Sequence, residues 1–101
     1  MQTGAIRLPE HEIAALCDRF RVAKLSLFGS VLRRDFHAGS DVDFLVEFEP
    51  GAKPTYFKLM EMEEALCEIT NRKADLRTPL ELSKYIRQRV LREAEPVYVR
   101  R

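Results

Sequence analysis

Residues 41–48, "DVDFLVEF", constrain the fold more than any other segment. Val42, Phe44, Val46 and Phe48 recur at every second position, a period that gathers side chains on one face of a strand and scatters them around a helix. The segment is therefore a strand with its apolar face on a core and a second face that opens with Asp41 and Asp43. An earlier apolar run, Val22 to Phe28, reads as another strand and stops at Gly29-Ser30. A polar connection joins the two, with a short helix expected over 30–34 and a loop at "HAGS".

The remaining segments supply helices to cover such strands. Pro9 suits a first helical position, Glu10 and Glu12 favour the first turn, and Ile13, Leu16, Cys17 and Phe20 form one apolar stripe. A second helix is expected from about Thr55 to Thr70, with Tyr56, Leu59, Met62, Leu66 and Ile69 on one side and Asn71 as its stop. "KADLRTP" reads as a short third strand ended by Pro79. A last helix, near Ser83 to Ala94, presents Leu82, Tyr85, Ile86 and Val90, and "EPVYVRR" reads as an extended edge segment. The order predicts an α/β (α+β) chain, a small mixed β-sheet flanked by helices, with residues 1–101 forming a single domain.

Composition narrows the function classes. With 17 basic and 16 acidic residues the net charge is +1, which argues against a protein that holds nucleic acid mainly by charge, and no direct nucleic-acid contact is expected. Cys17 and Cys67 belong to no CxxC or Cys/His cluster and read as buried free thiols of a reducing cytoplasm. The N-terminus lacks the apolar core of a secretory signal, and no apolar run has the roughly 18–20 residues needed to cross a bilayer, so a cytoplasmic protein off the membrane is expected.

The chemistry concentrates between residues 29 and 43. A strand that ends in Gly-Ser and enters a short helix makes an anion site, because glycine admits a phosphate close to the backbone and helix-start N–H groups point at it. Ser30 adds a hydroxyl, and Arg33 carries a fork of donors to the same place. By itself a Gly-Ser turn is common and needs no ligand. Asp41 and Asp43 project from one strand face, an arrangement that like charges disfavour unless a cation such as Mg²⁺ lies between them. Two solvated acids at a strand end are the competing reading. Asp75, in "KADLRTP", would join them if its strand lies beside 41–48, about 5 Å away. Three acids can hold two Mg²⁺ ions about 3.5–4 Å apart and align an attacking oxygen with a leaving pyrophosphate. Otherwise Asp75 is an edge acid paired with Lys73 or Arg77.

Together, "GSVLRRDFHAGSDVD" forms a GS-x10-DxD pattern that resembles the DNA polymerase β-type nucleotidyltransferase superfamily. More narrowly it is similar to the minimal nucleotidyltransferase group, the antitoxin partners of HEPN-domain toxins. The likeness runs through "LFGS", "SDVDFLVEF", "ADLRTP" and "YIRQRVLREAEPVY" in order. The resemblance implies a nucleotidyltransferase fold. It assigns nucleotide phosphate to Gly29 and Ser30, two metal ions to Asp41 and Asp43, and completion of the triad to Asp75. Arg33 falls at a family arginine, whereas Arg34 stands where the family often has glycine. It also implies ATP as the substrate, a HEPN toxin as partner in an oligomer, and AMP transfer to a toxin tyrosine as the neutralising reaction. The chain ends near the end of such a catalytic core, so the acceptor is expected on another molecule.

The rival class is a non-catalytic antitoxin that blocks a HEPN RNase by occupancy alone. A transferase acting on a small molecule such as an aminoglycoside is weaker, since those enzymes generally carry an additional domain. Other residues read plainly. His11, His37 and Glu47 are expected at the surface, and Arg87, Arg89, Arg92, Arg100 and Arg101 as a solvated basic region. Tyr56, Phe57, Met60 and Met62 are expected in the core rather than on a base-stacking platform.

Overall fold

The computed structural model describes residues 2–3, 6–33, 36–37 and 39–100. A short antiparallel pair, β1 (Gln2–Thr3) and β2 (Ile6–Arg7), precedes α1 (Glu10–Arg19). Then follow β3 (Val22–Phe28), β4 (Val42–Phe48), α2 (Tyr56–Thr70), β5 (Ala74–Arg77), α3 (Lys84–Glu93) and β6 (Glu95–Val99). The last four strands form one sheet in the order β5-β4-β3-β6. β4 runs parallel to β5 and antiparallel to β3, and β6 pairs antiparallel along the other edge of β3. This is the mixed sheet flanked by helices that the element order predicts.

Local signals place most boundaries. Thr55 caps α2 by accepting from the Lys58 amide at 3.2 Å, and Asn71 ends that helix in the left-handed region at φ 54°. Ser83 caps α3 through the Tyr85 amide at 3.2 Å. Pro9 stands at the N-cap of α1 with ψ 110°, one position ahead of the expected first helical residue. β1 and β2 were not anticipated, because two-residue strands are too short to display a period.

One face of the sheet carries the main core. Val42, Phe44 and Val46 of β4 and Leu25 and Leu27 of β3 are buried with Ile13, Leu16 and Cys17 of α1, Phe20 at its C-cap, and Met62 and Leu66 of α2. Burial pushes the Cys17 thiol up to about 12, so it is a packing group rather than a nucleophile. The other face is not left to solvent. Leu45, which alternates with Phe44 and Val46, packs with Leu82 and Val90 in a smaller cluster bordered by Phe28, Ile86 and Ala94. α3 thus roofs the face that carries the acids.

Three aromatic assignments change. Tyr56, Phe57 and Tyr85 are 72%, 79% and 85% exposed, so none of them belongs to a core. Each lies in the first turn of its helix, beyond the reach of the sheet, and apolar spacing cannot tell a helix end from its middle. The arginines divide as well. Arg87 donates to the carbonyls of Pro79 (2.8 Å) and Leu82 (3.0 Å), which fixes α3 to the turn before it. Arg100 pairs with Asp18 at 3.2 Å and Glu49 at 2.9 Å.

Candidate functional site

The site begins where β3 ends. Phe28, the last residue of β3, is the ladder partner of Asp43. The chain then turns through Gly29 at φ +76° into a short 3-10 segment, Gly29–Leu32, anchored by the buried Val31. A Cβ on Gly29 would lie 2.5 Å from Asp43 Oδ2. Glycine is therefore required twice, for the left-handed backbone and for the carboxylate that sits over it. Ser30 closes the junction, its hydroxyl donating to the Asp41 carbonyl oxygen at 3.2 Å. The hydroxyl proton braces the start of β4 in this conformation, which leaves Ser30 its backbone N–H to offer a ligand.

The second step is the β4–β5 ladder. Asp43 and Asp75 are register partners in adjacent parallel strands, flanked by the buried pairs Val42–Ala74 and Phe44–Leu76. Side chains opposite one another in a ladder share a face, so Asp75 stands beside Asp43. Asp41 precedes them, half-exposed, with Lys73 Nζ 3.9 Å from its Oδ2. Lys73 thus faces Asp41 and not Asp75.

The electrostatics mark Asp43 as the centre. Burial raises its pKa, the Asp75 and Asp41 charges raise it further, and Arg77 and Arg33 act against them. The fold thus disfavours the ionised form of Asp43, a penalty that a bound cation would remove. Among the described residues no three His, Cys, Asp or Glu side chains lie close enough together to hold a metal ion by themselves. The donor set is nevertheless hard oxygen, and Mg²⁺ is commonly bound by one or two carboxylates completed by substrate phosphates. Asp41 and Asp43 fit that mode.

All six residues singled out in the sequence lie at this end of the sheet: Gly29, Ser30, Arg33, Asp41, Asp43 and Asp75. Arg33 ends the 3-10 segment, exposed, and its charge reaches Asp43. Arg34 lies outside the described residues. His37 is an exposed loop residue whose Nδ1 accepts from the Gly39 amide at 3.1 Å and whose carbonyl accepts from Arg72 at 3.0 Å. Arg72 also lies over the Phe36 ring at 4.8 Å, and so ties the loop ahead of β4 to the end of α2. Sequence reasoning weighed Arg77 only as a partner for Asp75. Its alternation with Asp75 along β5 is the signal that puts it on the acidic face. A cavity of about 590 Å³ opens beside Gly29, Leu32 and Arg33 and extends beneath α3. Nothing in the sequence pattern had announced it.

Comparison with known proteins agrees with this architecture. Residues 13–97 match the nucleotidyltransferase domain family. Over 84 residues the chain is 39% identical to the protein adenylyltransferase MntA of Thermococcus cleftensis, covering 83% of this chain and 81% of that one. A solved "putative minimal nucleotidyltransferase" superposes with a TM-score of 0.71 at 32% identity, covering 86% of this chain and 87% of the other. Two more distant structures share the fold. One is a toxin–antitoxin structure with AMP-PNP (TM-score 0.72, 21% identity, covering 93% and 76%). The other is a tri-AMPylated Shewanella oneidensis HEPN toxin in complex with its MNT antitoxin (TM-score 0.64, 18% identity, covering 90% and 70%). The chain belongs to the nucleotidyltransferase domain family and is a homologue of the MntA protein adenylyltransferases.

Proposed function

We propose that this nucleotidyltransferase moves AMP from ATP to a hydroxyl, a tyrosine side chain, of a cognate HEPN-domain toxin in a Mg²⁺-dependent reaction, and so acts as an antitoxin. The observation that carries this reading is Asp43, seated over Gly29 on one side and beside Asp75 on the other. Phosphate and carboxylate functions thereby meet at one point. The backbone of Gly29 and Ser30, with the Arg33 guanidinium, holds the triphosphate. Asp41 and Asp43 provide carboxylate oxygens for the metal, with Asp75 as the third acid. Mg²⁺, when bound, neutralises phosphate charge and favours the in-line arrangement of attacking and leaving oxygens. Asp75 orients the acceptor hydroxyl and takes its proton. The hydroxyl oxygen forms the new bond to the α-phosphorus as the bond to the β-phosphate breaks, and pyrophosphate leaves. Arg77, near Asp43, offsets the negative charge that gathers there.

The names of the relatives support the substrate assignment, since one is a protein adenylyltransferase, one a toxin–antitoxin structure with AMP-PNP, and one an AMPylated HEPN toxin in complex with an MNT antitoxin. A cytoplasmic setting suits Cys17 and Cys67, both free thiols, and among the described residues no helix is long and apolar enough to cross a membrane. The rival reading is an antitoxin that acts by occupancy alone.

Incubation with the HEPN partner, Mg²⁺ and each NTP in turn, followed by intact-mass measurement of the partner, separates the two. Transfer predicts added AMP groups with ATP, and a loss of at least about 10³-fold in rate for the D41N/D43N double variant. An unmodified partner with every NTP, or full neutralisation by the double variant at equal abundance, contradicts it.

A further inference from the structure

We propose that the cavity between the Gly29–Leu32 turn and α3 receives the nucleoside of the transferred nucleotide, with Arg89 and Glu93 contacting its polar edge. The inference rests on the nucleotidyl-transfer reading above and adds to it the site for base and ribose.

Position comes first. The cavity opens at one end beside Gly29 and Arg33, the groups assigned to phosphate, and it lies on the α3 side of the sheet with Asp43 and Asp75. A triphosphate held at the turn borders this space, so the cavity is within reach of a nucleoside joined to it. At about 590 Å³ it falls within the range of small-ligand sites. Cavities beside Leu76 and beside Lys53 measure about 230 and 240 Å³. Neither of those borders the Gly29 turn.

The lining has the chemistry of a nucleoside site. Ile86, Arg89, Val90 and Glu93 are spaced i, i+3, i+4 and i+7 along α3, so they share one helix face, and all four line the cavity. Ile86 and Val90, with Leu32 across from them, offer an apolar surface for a base. Arg89 and Glu93 are exposed and bring planar donors and a carboxylate acceptor to its rim. Among the described residues neither side chain forms a hydrogen bond or ion pair, although the two stand four apart on the same helix. Two opposite charges left unengaged at the edge of an apolar pocket are placed to meet a polar ligand. The sequence reading treated Arg89 as part of a solvated basic region. Arg89 is exposed, as that reading expects, and its place on the cavity rim adds a ligand for it to meet.

The test is calorimetric titration of the full chain in Mg²⁺ with two probes, AMP-PNP and inorganic tripolyphosphate, which lacks a nucleoside. R89A and E93Q, at exposed positions where substitution leaves the cores intact, should each weaken AMP-PNP about tenfold and leave tripolyphosphate within about twofold. R33A should weaken both probes. The proposal is overturned if R89A and E93Q bind AMP-PNP as the parent does, or if they lose both probes in equal proportion. A parent chain that binds tripolyphosphate but not AMP-PNP also overturns it and spares the phosphate assignments. A parent chain that binds neither removes the transfer reading as well.

Discussion

The two faces of the sheet are built to different ends. Against one, α1 and α2 press a continuous cluster in which Val42, Phe44, Val46, Leu25 and Leu27 are buried. On the other, the same strands present Leu45, Asp43 and Asp75 to a single helix, over a cluster whose buried members are Leu45, Leu82 and Val90. Strand alternation produces both from one sequence, as "VDFLVEF" sends odd and even positions to opposite sides. The difference teaches that stability resides mainly on one face. The other is left free to carry groups that the fold tolerates at some expense.

Matched leucines provide the strongest way to break that comparison. Leu27 and Leu45 are equally buried, at 0% and 1% exposure, but lie in the large and the small cluster. Leu27→Ala should cost about 4 kcal/mol in chemical denaturation and Leu45→Ala about 2–3 kcal/mol, since the smaller cluster can settle into the space. A larger loss at Leu45 would mean that α3, not the α1/α2 layer, holds the sheet together.

Paired glycines give the next effect. Gly29 and Gly51 both have positive φ, at +76° and +87°, but an added Cβ meets Asp43 at the first and nothing within 4 Å at the second. Gly51→Ala should cost about 1–2 kcal/mol from backbone strain alone. Gly29→Ala should cost about 1–2 kcal/mol more, because the carboxylate must move. It should also abolish nucleotide binding, which titration with AMP-PNP would check. Equal costs would show that Asp43 yields easily.

The smallest effect concerns Ser26, the ladder partner of Leu45. It is 1% exposed, and its Oγ has no hydrogen-bond partner among the described residues. Ser26→Ala should leave stability unchanged or raise it by about 1 kcal/mol, read from the denaturation midpoint. A clear loss would indicate that the hydroxyl is engaged after all.

These contrasts also show what the sequence could disclose. The alternation of residues 42–48 announced the main core and the side on which Asp43 projects, and Gly29-Ser30 and Asn71 announced turns that the structure contains. That Asp75 stands beside Asp43 could be stated only as a condition, because the pairing of β5 with β4 is set by how the α2 crossover packs on the sheet rather than by any local preference. Leu45 shares its face with Asp43 and Glu47, and only the structure shows Leu82 and Val90 covering it. Tyr56 and Tyr85 matched apolar stripes and Phe57 was expected in the core, yet all three sit exposed at helix starts. The cavity under α3 is a property of two elements brought together and has no sequence signature of its own.

The acidic face holds Asp43 in a form the fold disfavours, and under the proposed function a bound nucleotide and cation relieve it. In the folded chain its pKa lies above the ordinary carboxylate value, through burial and the charges of Asp75 and Asp41. A raised carboxyl contributes stability below its unfolded pKa and loses that contribution as pH rises through the folded value. At neutral pH the ionised Asp43 is therefore a burden that D43N removes. The direct measurement is the melting temperature of parent and D43N, with and without Mg²⁺ and AMP-PNP, from pH 7 down to about 4. Without ligand D43N should melt higher at pH 7, with the gap closing as pH falls. With ligand the parent should rise and D43N should not. A D43N chain that melts lower at pH 7, or that gains as much from the ligand as its parent, would contradict the account.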